Sequence, residues 1–186
     1  WFDFAADTGD SGDAMYAVAT ACLADLDYAG DLDSLETLPD GGAPLKLWRA
    51  GDRTDERPRG SLPRGQFLFL GGDTAYHVAD HATIRNRFQS PFRWAWDDLA
   101  EDVAPSGQRS AATRLYGIPG NHDWYDNLSG FSRLIETPLA GAEDERIAIS
   151  GFEPVQQASY LAIGLPYGWQ LWGLDIDSSL DAKQMA

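Results

Sequence analysis

Cysteine, histidine and basic residues are the scarce types in this chain, and each shortage narrows the chemistry open to it. One cysteine, Cys22, among 186 residues excludes a disulfide framework and a thiolate metal cage. It falls among Met15, Val18, Ala19 and Leu26 with the spacing of a buried helical stripe, so it reads as a core residue rather than a nucleophile. Histidine occurs only at His77, His81 and His122. Lys and Arg number 14 against 29 Asp and Glu, a net charge of −15. That balance argues against nucleic acid as a partner, because phosphate backbones are held mainly by Lys and Arg. No apolar run approaches the roughly 18 residues of a membrane-crossing helix. The longest uncharged apolar stretches, such as Gln66 to Leu70, are strand-sized, and a soluble, cytoplasmic segment is expected. An initiator Met and a signal-peptide pattern are also missing. The chain, opening Trp1-Phe2-Asp3, therefore reads as a piece of a longer protein whose targeting signals or membrane segments would lie outside it. No internal repeat of fixed period occurs.

What is present suits a folded core. The 44% hydrophobic and 12% aromatic content excludes a disordered chain. Short β-type runs alternate with helix-type stretches, the sign of an α/β layered fold. Phe2 to Ala6 reads as a first strand, and a helix fits Asp13 to Tyr28 with Asp13 as its cap. Gly30 to Arg64 is rich in Gly, Pro and charge, with only Leu45 to Arg49 looking ordered, and reads as an insertion in a single domain spanning 1–186. Gln66 to Leu70 is a second strand. His81 to Asp102 reads as a helix broken or kinked near Pro91, with an aromatic face of Phe88, Phe92, Trp94 and Trp96. Arg114 to Ile118 is a third strand, and a short helix covers Leu128 to Ile135. Ser159 to Leu165 and Trp169 to Ile176 read as strands joined by Pro166-Tyr167-Gly168. That connection is too short for a crossover, so the pair is antiparallel.

Three of these strands each end in a small polar loop: Asp7-Thr8-Gly9, Gly72-Asp73-Thr74-Ala75-Tyr76 and Gly120-Asn121-His122-Asp123. Sites in open α/β sheets lie at the carboxyl ends of strands, and hard oxygen donors suit Mg, Mn, Ca and iron. Singly, each loop is weak: a strand-end Asp is often a helix cap, and Gly-Asn is often a plain turn. All three in this order are far more specific. The D-x-G, G-D-x-x-Y and G-N-H-D pattern resembles the calcineurin-like metallophosphoesterases, and its first two motifs are similar to those of purple acid phosphatases, where the Tyr binds the ferric ion. FDFAADTGD, GGDTAY, IPGNHDWYDNL and SYLAIGLPYGWQLWGLDID also resemble a group of large metallophosphoesterase-like proteins of bacteria and plants, leaving Gly30 to Arg64 unmatched.

The resemblance implies a four-layer α-β-β-α sandwich, lacking its C-terminal strands in this chain. It implies two metal ions (Fe, Mn or Zn), with Asp7 on the first, Asp73 bridging, Tyr76 completing the first site and Asn121 on the second. A phosphate mono- or diester would be the substrate. A bridging carboxylate holds two ions about 3.5–4 Å apart, and a bound water becomes hydroxide near pH 7. His122 would protonate the departing alkoxide while Asp123 orients its ring. Bound metals would also reconcile the acidic chain with an anionic substrate.

The pattern breaks after His122, where the family supplies further metal-binding histidines and this chain has none. Those ligands lie beyond Ala186 on the reading favoured by the undecayed motifs, or the site is degenerate. The alternative function is then a catalytically silent module used for protein interaction or regulation. Other patterns carry less. His77 and His81 have the spacing of a zinc pair, but no helix is assured at His77. The run Asp7 to Asp13 lacks the oxygen ligand at the third position of an EF-hand loop and the Glu at its twelfth. Asp175 and Asp177 follow a strand like further ligands, but the resemblance implies a structural role there. Arg53, Arg57, Arg59 and Arg64 are interleaved with Asp52, Asp55 and Glu56 and read as a self-neutralising loop.

Overall fold

The computed structural model describes residues 2–29, 46–48, 60–62, 64–102, 112–136 and 146–176. Its elements run β1 (Asp3–Ala5), α1 (Gly12–Leu23), β2 (Leu26–Ala29), β3 (Lys46–Trp48), β4 (Gly60–Leu62), β5 (Phe67–Leu70), α2 (His81–Ile84), α3 (Ser90–Asp102), β6 (Thr113–Gly117), α4 (Ser129–Ile135), β7 (Phe152–Pro154), β8 (Leu161–Gly164) and β9 (Gln170–Gly173). The α/β class expected from the alternation is what forms.

The apolar runs expected as strands become β1, β5 and β6, and β7 joins them in an all-parallel sheet of order β1-β5-β6-β7. Each new strand adds on the same side of the last. Right-handed crossovers repeated in one direction place every connecting helix on the same face. That face holds the core: Ala5, Leu68, Leu70, Leu115 and Phe152 of the strands meet Met15 and Ala19 of α1, Phe92 and Ala95 of α3, and Phe131 and Leu134 of α4.

The opposite face carries the alternate residues of the same strands. Phe4, Phe69 and Tyr116 lie in register across β1, β5 and β6. Phe2 stacks on Phe67 with ring centroids 4.8 Å apart, and Phe67 meets Tyr116 edge-on at 5.5 Å. The antiparallel β8–β9 hairpin covers part of this face. A Cβ on Gly173 would meet Ile118 Cγ2 at 2.7 Å and Phe69 Cζ at 3.2 Å, so β9 is seated closely there. Phe69 is accordingly 3% exposed while Phe4, beyond the hairpin, is 62% exposed. Parallel sheets are ordinarily covered on both faces. Among the described residues this one is covered fully on one face and partly on the other.

Several expected boundaries shift for local reasons. Helix α1 is capped by Ser11, not Asp13: Ser11 has extended backbone angles and its hydroxyl accepts from the Ala14 amide at 3.3 Å. It stops at Leu23 rather than Tyr28, because Ala24 turns extended and Leu26–Ala29 pairs with β3 and β4 in a separate antiparallel sheet. The Gly30 to Arg64 stretch thus contributes β3, inside the Leu45 to Arg49 segment expected to be ordered, and β4; apart from Arg64, its other residues lie outside those described. Pro91 does not break its helix. Lacking an N–H and crowding the preceding turn, it follows a widened π turn, Arg85–Gln89, that joins α2 to α3 without interruption. Phe88 and Phe92 are buried, whereas Trp94 of the expected aromatic face is 46% exposed. No helix among the described residues is long and apolar enough to cross a membrane.

Candidate functional site

The three polar loops do meet. Parallel-ladder bonding continues past the strand ends, with the Gly71 amide donating to the Ala5 carbonyl (2.8 Å), Asp7 to Gly72 (3.2 Å) and Ile118 to Leu70 (2.9 Å). Asp7 and Asp73 both take left-handed backbone angles (φ 56° and 50°), which short polar side chains tolerate. Gly72, at φ 102°, and Gly120 let the loops touch: a side chain on Gly120 would run into Asp73 Oδ1.

Asp7, Asp73, Tyr76 and His122 form one hydrogen-bonded cluster. The Tyr76 hydroxyl lies 2.8 Å from Asp7 Oδ1 and 3.2 Å from Asp73 Oδ2, bridging the carboxylates with its proton. Asp73 Oδ1 accepts the His122 amide at 2.9 Å. The His122 ring packs edge-on against Tyr76, and its Nδ1 donates to the His77 carbonyl at 2.5 Å. Asn121 is exposed, with its amide nitrogen 3.2 Å from the Tyr125 hydroxyl. Asp123 is fully buried and turned inward, accepting the Gly120 amide at 2.8 Å and the Thr74 amide at 3.4 Å. It buttresses the loop backbones, while the ring of His122 is held by a backbone carbonyl.

The electrostatics follow from those partners. The Tyr76 hydroxyl is pushed well above the ordinary phenol value by desolvation, by its bond to Asp7 and by the negative charge of Asp73. It stays a proton donor. Burial also raises the Asp123 carboxyl, partly offset by the Gly120 and Thr74 donors.

This geometry corrects the metal reading. Among the described residues no group of three or more His, Cys, Asp or Glu is arranged to hold a metal ion. Asp7 and Asp73 converge, but on the Tyr76 hydroxyl; Asp123 faces the interior, and His122 presents Nδ1 to a carbonyl. The expected pair of Fe, Mn or Zn ions is therefore not supported. Nor are the binuclear centre, phosphatase activity on a phosphate-ester substrate, or membership of the calcineurin-like metallophosphoesterases, the family whose motifs implied that pair. No protein-family model, curated protein or solved structure matches the chain.

Other singled-out residues fall elsewhere. His77 is exposed and precedes α2, which starts at His81, so the two do not share a helical face. Arg64 is structural: its guanidinium donates to the Gly151 carbonyl at 2.6 Å and lies over the Phe152 ring. Asp175, expected to be structural, is buried and accepts from Trp124 Nε1 (3.0 Å) and Ser159 Oγ (2.5 Å), tying the β9 end to the loop after β6. Arg53, Arg57, Arg59 and Asp177 lie outside the described residues. Sequence reading passed over Gln156, which is buried and exchanges two 2.8 Å bonds with the Gly117 amide and carbonyl. Isolated glutamines carry no spacing signal.

Proposed function

We propose that this chain is a catalytically silent α/β module that works by binding another protein, with the β8–β9 hairpin at the centre of its contact surface. One observation carries the reading: the hairpin presents large aromatic side chains to solvent on a stretch without charge. Tyr167 is 100% exposed, Trp169 73% and Trp172 63%. Residues 159–174 contain no Asp, Glu, Lys or Arg in a chain that is 23% charged. Trp and Tyr are the residues that anchor protein interfaces, and contiguous exposed apolar area on a folded domain marks a contact site. Leu161, Ile163, Leu171 and Gly173 are the less exposed hairpin residues, leaving Ala162 and Trp172, which pair across the strands, on the outer side.

In this reading Asp7, Asp73, Tyr76, Asn121, His122 and Asp123 hold three loops in register instead of handling a substrate. The same proposal takes residues 1–186 as one domain with an insertion at 30–64. It also takes the hairpin as the start of a second sheet packed on the first, with its outer face left open for the partner, and the location as cytoplasmic. The free, buried Cys22 fits a reducing compartment.

The test is a peptide-display selection on the 186-residue chain, with clones re-screened on a Trp169→Ala/Trp172→Ala variant of unchanged circular dichroism. Clones that lose binding to the variant support the proposal. A selection that yields none, or only clones indifferent to both tryptophans, overturns it.

A further inference from the structure

We propose that a groove along the α2–α3 helix is a binding site for a ligand carrying two carboxylates. The groove, of about 320 Å³, is lined by His81, Arg85, Asn86, Gln89, Ser90 and Arg93. It does not involve the hairpin, so it stands apart from the reading above. Its charge runs against that of the molecule: Arg85 and Arg93 both line it in a chain of net charge −15. Neither Arg85 nor Arg93 has an ion-pair partner among the described residues. Both side chains are exposed, as is Asn86.

Several neighbouring polar groups are already committed, and Arg85 and Arg93 stand open as the charged donors. Asp80 caps α2 by accepting the Thr83 amide at 2.7 Å. Arg87 donates to the Asp10 carbonyl, away from the groove. Gln89 donates to the Ala148 carbonyl at 2.8 Å and Ser90 to the Arg85 carbonyl at 2.9 Å, which fixes the floor across the π turn. Such turns inside α-helices recur at functional sites.

The ligand class follows from the donors. A guanidinium holds one carboxylate as a planar, two-bond fork. Arg85 and Arg93 are eight positions apart, a rise of about 12 Å in a pure α-helix that the π turn between them shortens. Two forks at that separation engage two acid groups better than one. The carboxylates can belong to a free dicarboxylic acid or to successive glutamates of a peptide.

Isothermal titration of the 186-residue chain separates these sources, using suberate, octanoate and a hexaglutamate peptide at about 0.15 M salt. The Debye length is then about 8 Å, which screens the repulsion of the acidic surface while direct contacts persist. Suberate or hexaglutamate binding is expected, weakened about tenfold in Arg85→Gln and in Arg93→Gln. Binding of suberate alone identifies a small acid, and binding of the peptide alone identifies a protein segment. Both positions are exposed, so unchanged circular dichroism of the variants is the control for folding. The proposal is overturned if neither ligand binds, if both variants bind like the wild type, or if octanoate matches suberate.

Discussion

Replacing Tyr76 with Phe is the sharpest probe of the polar cluster, because it deletes one hydroxyl and leaves the ring against His122. The hydroxyl stands between Asp7 and Asp73 at 2.8 and 3.2 Å. Without it the two carboxylates face each other with no donor between them. A hydrogen bond to a charged group contributes about 1.5–3 kcal/mol, and solvent exposure of Asp7 discounts the loss to about 1–2 kcal/mol. For a domain of this size that lowers Tm by roughly 2–8 °C. The pH dependence supplies a second readout. The phenol is raised in the folded state by desolvation, the Asp7 bond and the Asp73 charge. Its contribution is therefore complete below the ordinary phenol value of about 10 and is lost as pH rises beyond it. Urea denaturation of both proteins at pH 7 and above pH 10 is the assay. The gap is expected at pH 7 and should narrow in alkali. Equal stability at pH 7, or a gap indifferent to alkali, would refute a bridging role for the hydroxyl.

Three further outcomes are expected. Gln156→Ala strands the buried Gly117 amide and carbonyl and should cost about 2–4 kcal/mol, read by urea denaturation; a loss within experimental error removes Gln156 from the sheet's framework. Glu136 is raised by burial and by the Asp175 charge, against the lowering bond from Ser132, so its charged form opposes folding. Glu136→Gln should therefore stabilise the protein at pH 7 by less than about 1 kcal/mol. The gain should disappear as pH falls toward the ordinary carboxyl range, and a variant less stable at pH 7 contradicts it. The Cys22 thiol is pushed up to about 12 by burial and the Asp3 charge, so a disulfide reagent at pH 8 should label it only on unfolding; fast labelling of the native protein would place it outside the core.

The parts of the fold legible in the sequence are those where one physical signal dominates. Phe67–Leu70 is a strand-length apolar run bounded by glycines, Thr113–Gly117 is a short β-type run that ends at Pro119-Gly120, and Pro166-Tyr167-Gly168 is too short for anything but a hairpin turn. Strand β2 was hidden because Leu26 continues the apolar spacing of α1, and only pairing with β3 and β4 decides between helix and strand. Strand β7 was hidden by Pro154, which a sheet tolerates there because β7 lies at an edge. The convergence of Asp7, Asp73 and His122 followed from their places at strand ends. Their chemistry did not, because a motif records residue types and omits which donors occupy the carboxylate oxygens. Here the Tyr76 hydroxyl and the His122 amide take those places, and both depend on tertiary contacts between separate loops.

The most direct measurement is equilibrium dialysis of the 186-residue chain against Mn²⁺ and Zn²⁺, followed by elemental analysis and an aryl phosphate turnover assay on the same samples. A silent module should retain less than one equivalent of either ion and show no hydrolysis above buffer. Two bound equivalents, with turnover abolished in Asp73→Ala, would contradict that assignment.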